Sequence, residues 1–76
     1  MILSDLLRFV MDTTQTPARV CADALGLSPQ NFGQRLKRGT LSLEQIAEAV
    51  NVCGCILRIS VDAGEHTIYA ASSDDL

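Results

Sequence analysis

Gln30, Gln34 and Lys37 fall at spacings of four and three, with Asn31 and Arg38 between and beyond them. At about 100° per residue these side chains share one side of a helix, while Phe32 and Leu36 mark the opposite side. A carboxamide donates and accepts at once, so Gln and Asn match the major-groove edge of adenine. Arg35, Lys37 and Arg38 match phosphate oxygens, and Arg35, on the flank between the two faces, also matches a guanine edge. Ser28 stands where the helix would begin, and the free N–H groups there favour a backbone phosphate. Singly, each is an ordinary solvated side chain. Clustered on one face, they are the equipment of a helix that enters the DNA major groove.

Such a helix needs a start, a stop and a support. Ser28-Pro29 reads as an N-cap followed by proline at the first helical position. Leu27 and Phe32 are placed as a hydrophobic staple across that cap. Gly39 ends the segment, so the reading helix spans residues 28–38. Gly33 sits inside it, where glycine costs about 1 kcal/mol against alanine. Two accounts stay open for Gly33: close approach to a DNA backbone, or close approach to the preceding helix. That preceding helix, Pro17 to Leu25, is expected to be capped by Thr16, to face Val20, Cys21, Ala24 and Leu25 inward, and to stop at Gly26 in a left-handed turn.

The flanking segments carry helical periodicity too. Leu3, Leu6, Leu7, Val10 and Met11 form one stripe of a first helix capped by Ser4 and running to about Thr13. Ser42 and Gln45 form a capping box for a fourth helix, with Leu43, Ile46, Ala47 and Val50 inward and Glu44 and Glu48 outward. Beyond Gly54 the period changes to two. Cys55, Leu57, Ile59 and Val61 alternate with Ile56, Arg58 and Ser60, Asp62–Glu65 has turn composition, and residues 66–71 return as a second strand. Residues 72–76 read as a frayed tail. The predicted fold is mainly α: a four-helix helix-turn-helix domain over residues 1–54, then a β-hairpin over 55–71. A lone hairpin is not stable. It must lie on its own helices, pair with a second copy in an isologous dimer, or do both, and the small core of a 76-residue chain favours the dimer.

Charge is distributed unevenly. The net charge is −3, yet residues 15–43 carry +3, from Arg19, Arg35, Lys37 and Arg38 against Asp23. Residues 44–76 carry −5, so that end should turn away from phosphate. The three cysteines, Cys21, Cys53 and Cys55, are too few and too odd in number for a disulfide framework. With a single histidine, His66, they also fall short of a closed zinc site, so no metal and no cofactor are expected. His66 has no evident nucleophile partner and no phosphate-binding glycine loop appears, which argues against an enzyme. The apolar runs are too short to span a membrane and no secretory leader is evident, so a cytoplasmic protein is expected.

The run Val20-Cys21-Ala22-Asp23-Ala24-Leu25-Gly26-Leu27-Ser28-Pro29-Gln30-Asn31-Phe32, with Leu36-Lys37-Arg38-Gly39 after it, resembles the Xre family of helix-turn-helix regulators, in the lambda-repressor-like DNA-binding fold. The resemblance covers residues 1 to about 54. It implies that Ala22 packs under the reading helix and that Gly26 makes the turn. It also implies that Gln30, Asn31 and Gln34 meet bases, while Ser28, Arg35 and Lys37 meet phosphates. The implied protein is a homodimeric transcription regulator on a palindromic double-stranded operator. The chain departs from the family in placing a hairpin pattern where a fifth helix is usual. A second reading is a protein-interaction module, such as an antitoxin or a regulator's partner, that binds through the acidic, apolar C-terminal hairpin.

Overall fold

Cap and stop chemistry along the chain sets the helix boundaries of the computed structural model, which describes residues 2–75; Met1 and Leu76 lie outside it. The order is α1 (Ile2–Thr14), α2 (Ala18–Ala24), α3 (Pro29–Arg38), α4 (Leu43–Val52), β1 (Arg58–Ala63), β2 (His66–Ser72) and a 3₁₀ turn (Ser73–Asp75). The fold is mainly α with a C-terminal antiparallel hairpin. Ser42 and Gln45 close the expected capping box: the Ser42 N–H donates to Gln45 Oε1 at 2.9 Å, and the Gln45 N–H to Ser42 Oγ at 3.1 Å. Gly26 and Gly39 end α2 and α3 at φ values of 69° and 70°, a region closed to most side chains but open to glycine.

Two expected caps do other work. Ser4 lies inside α1 and is 4% exposed, so it caps nothing. Thr16 Oγ1 is engaged by Thr14 Oγ1 at 2.7 Å, and Pro17, which has no side-chain acceptor, stands at the cap of α2. The reason lies in how α1 stops. Gln15 takes the left-handed conformation, at φ 57°, and the Thr16 N–H returns to the Met11 carbonyl at 2.9 Å. That is a Schellman-type ending in which glutamine replaces the usual glycine.

The core draws on every helix: Leu7, Cys21, Ala22, Phe32, Leu36, Ile46, Ala49 and Val50, with Leu41 from the loop before α4. Phe32 is fully buried, which stabilises the fold by about 1.5–3 kcal/mol. Three inward assignments are corrected. Val20 is 37% exposed and Ala24 is exposed, because on the short α2 they stand well round from the Cys21–Ala22 side that faces the core. Leu43, at the first turn of α4, is 43% exposed, and Ala49 takes the inner position instead.

The hairpin pairs Ile59 with Ala71 and Val61 with Tyr69, then Asp62 with Thr67. Ile68 is the extra residue of a bulge, where Thr67 Oγ1 donates to Asp62 Oδ1 at 2.8 Å. The turn is tighter than expected, only Gly64-Glu65. Alternation holds at the base, where Leu57 and Ile59 are half-buried, but not at Val61, which is 50% exposed. The expected frayed tail of residues 72–76 is instead tied in at Ser73, and its last residue, Leu76, lies outside the described residues. Ser73 is 4% exposed, its N–H donates to the Leu57 carbonyl at 2.8 Å, and its Oγ accepts from the Leu57 N–H at 2.8 Å and binds Asn51 Oδ1 at 2.7 Å. The Asn51 Nδ2 donates back to the Ser73 carbonyl at 3.1 Å. The hairpin base is thus latched onto α4. Its outer part projects: every residue from Ser60 to Ala70 is exposed, and the molecule measures 42 Å along its long axis against 23 and 21 Å across.

Candidate nucleic-acid interface

Two buried anchors orient α3. Phe32 and Leu36 are 0% and 8% exposed, one turn apart, and they hold the helix against α2. Ala22, fully buried on α2, leaves room for that approach. Between the two helices the Leu27 N–H returns to the Ala22 carbonyl at 2.9 Å, which closes the Gly26 turn, and Leu27 packs against the core. With the inner side fixed, the outer side follows from the helical period. Gln30, Asn31, Gln34, Lys37 and Arg38 are all exposed, and Arg35 is half-buried on the flank, as its sequence position implied.

The start of α3 is built as expected. Ser28 is the N-cap, with its Oγ accepting from the Asn31 N–H at 3.1 Å, and Pro29 opens the helix. No acidic residue occupies the first turn, while Arg35, Lys37 and Arg38 occupy the last. The positive end of the helix dipole is therefore left open to an anion. One interaction is additional to the sequence reading. Arg35 Nε donates to Asn31 Oδ1 at 3.1 Å across one turn. This bond sets which way the Asn31 amide faces. Oδ1 keeps a second lone pair and Nδ2 both of its donors, so the amide can meet adenine through both atoms with Arg35 in place. Spacing of four gave a signal for that pair, since i,i+4 side chains are neighbours on a helix.

Gly33 separates its two accounts within this chain. A Cβ built there meets nothing within 4 Å, so α2 does not require the glycine.

The cysteines lie apart from this face. Cys21 and Cys53 place their sulfurs 3.9 Å apart as free thiols. Burial, and next the neighbouring Cys53, push the Cys21 thiol up from 9.0 to about 12, which keeps it protonated and unreactive. Among the described residues no group of three or more His, Cys, Asp or Glu side chains is placed to hold a metal ion, and no helix is long and apolar enough to cross a membrane. No protein-family model matches the chain, and no curated protein or solved structure matches it significantly.

Proposed function

We propose that the chain is a sequence-specific DNA-binding transcription regulator that reads the major groove with α3, in the manner of the Xre family and the lambda-repressor-like fold it resembles. The observation that carries this reading is the division of α3 into a buried Phe32–Leu36 side and an exposed side made of Gln30, Asn31, Gln34, Lys37 and Arg38. Gln30, Asn31 and Gln34 address base edges, and Ser28, Arg35, Lys37 and Arg38 address phosphates, Arg35 also being able to turn to guanine. The open Gly33 position suits a backbone brought close from outside the chain. Positive charge over residues 15–43 steers this side to DNA, and the acidic remainder is repelled by phosphate. Two copies then place two α3 helices on the halves of a palindromic site.

Enrichment of bound sites from a randomised duplex pool at near-physiological salt tests the reading. A motif with two-fold symmetry is the expected result. Gln34→Ala combined with Arg35→Ala should abolish enrichment while the helical signal persists. No enrichment from the folded wild type would overturn DNA reading and favour the interaction module, for which the exposed apolar end of the hairpin speaks.

A further inference from the structure

Cys21 and Cys53 lie 32 residues apart in the chain, yet their sulfurs stand 3.9 Å from each other as free thiols. α2 packs on α4, so the pair meets across a helix–helix contact and not within one loop. The two thiols differ in access. Cys21 is 0% exposed, while Cys53, at the cap that ends α4, is half-buried. The third cysteine, Cys55, turns its thiol to the Cys53 carbonyl at 4.0 Å, to an oxygen and not to a sulfur. Packing alone asks only for a small apolar group at Cys21 and at Cys53. Two sulfurs in contact, one of them reachable from solvent, add a reaction that no other pair of small residues has.

We propose that Cys53 is a site of oxidation by hydrogen peroxide and that Cys21 completes the reaction, closing a disulfide between α2 and α4. The Cys53 sulfur, having lost its proton to water, attacks one peroxide oxygen. The O–O bond breaks, one water is released, and Cys53 is left as a sulfenic acid. The Cys21 sulfur then attacks the Cys53 sulfur. The S–S bond forms, the S–O bond breaks, and the departing hydroxide takes the Cys21 proton as a second water. The two thiols give up two electrons and two protons, and the peroxide is reduced to two waters. An S–S bond is ~2.0 Å long, so the sulfurs must close by about 1.9 Å from their 3.9 Å contact. Contact with Cys53 supplies the position that burial denies Cys21 toward any outside partner. Because Cys21 attacks as a buried thiol, the second step is slow, and the pair acts as a staple under sustained peroxide, not as a fast sensor. The closed ring runs from residue 21 to residue 53 and contains the whole of α3. A cross-link over a ring of that length restricts the unfolded chain strongly, so the oxidised domain is the more stable one.

The test uses the full chain without DNA, so its outcome is independent of the DNA reading. The reduced, folded chain is held in millimolar hydrogen peroxide at pH 8, digested without reductant and read by peptide mass. The expected result is a peptide linking Cys21 to Cys53, a chain lighter by two hydrogens, and a Tm higher by about 10 °C or more that dithiothreitol restores. Cys55→Ser should keep the link and the Tm shift. Cys53→Ser, at a half-buried position, should lose both while helical content is kept, and Cys21→Ala should halt at a Cys53 sulfenic acid that dimedone traps. A Cys53–Cys55 link, a Cys53–Cys53 link between chains, Cys53 carried on to sulfinic acid with Cys21 still a free thiol, an unoxidised chain, or a linked chain with no gain in Tm would overturn the inference.

Discussion

Ser73→Ala is expected to release the hairpin from the helical body. The substitution deletes two hydrogen bonds and leaves the chain path unchanged. The Leu57 N–H loses its 2.8 Å acceptor in a half-buried position, and Asn51 Oδ1 loses its 2.7 Å donor. Asn51 is exposed, so water replaces that partner and the loss there is about 1 kcal/mol. The Leu57 N–H is harder to resolvate and adds about 1–2 kcal/mol. The sum, about 2–3 kcal/mol, is a large share of the roughly 4–11 kcal/mol that a chain of this size has in total. Amide exchange read residue by residue is the assay. Leu57 and Ile59 should exchange about 30-fold faster or more, at about 1.4 kcal/mol per factor of ten, and Tm should fall by about 10–20 °C if the hairpin unfolds with the helices. Asn51→Ala should cost less alone and couple to Ser73→Ala by about 1 kcal/mol in a double-mutant cycle. Leu57 exchange within threefold of wild type, with Tm unchanged, would refute the latch.

Gln15→Gly should stabilise the chain by about 0.5–1 kcal/mol, because it relieves a left-handed backbone at a residue with a Cβ; the urea midpoint reports it. Gly33→Ala should also raise that midpoint, by about 1 kcal/mol, since the added methyl meets open space, whereas a glycine required by packing would make the change destabilising. At pH 8 iodoacetamide should label the half-exposed Cys53 and Cys55 and spare Cys21 until the chain unfolds, as read by peptide mass. In alkali the folded state holds the Cys21 proton up to about 12 while the unfolded state releases it near 9.0, so unfolding releases a proton between them. Stability should fall as pH rises through that window, and the fall should be smaller in Cys21→Ala by urea titration at each pH.

Local chemistry was readable from the chain, and nonlocal chemistry was not. The caps at Ser28 and Ser42 and the stops at Gly26 and Gly39 depend on partners three to five residues away, so spacing alone places them. The α3 face was legible for the same reason: once Phe32 and Leu36 mark the inner side, the helical period assigns the outer one. Errors appeared where a competing partner or an unseen neighbour decides. Thr16 is a good cap by type, but the Gln15 turn delivers it to Thr14. Leu43 has the periodicity of a core residue, yet it sits at the first turn, where the hairpin rather than the helical core is its neighbour. Ser73 gave no signal at all, because its partners, Asn51 and Leu57, lie 22 and 16 residues away.

From its sequence alone the chain determined four helices, a hairpin, their punctuation and the polar face of α3, because each rests on interactions within one or two turns. Only the tertiary structure decided how the hairpin stands: latched by Ser73 at its base, with Val61, Ile68 and Tyr69 left exposed further out. That arrangement depends on which surfaces are left once the helices have packed. Periodicity states that a side chain seeks cover, but not whether its own chain supplies it.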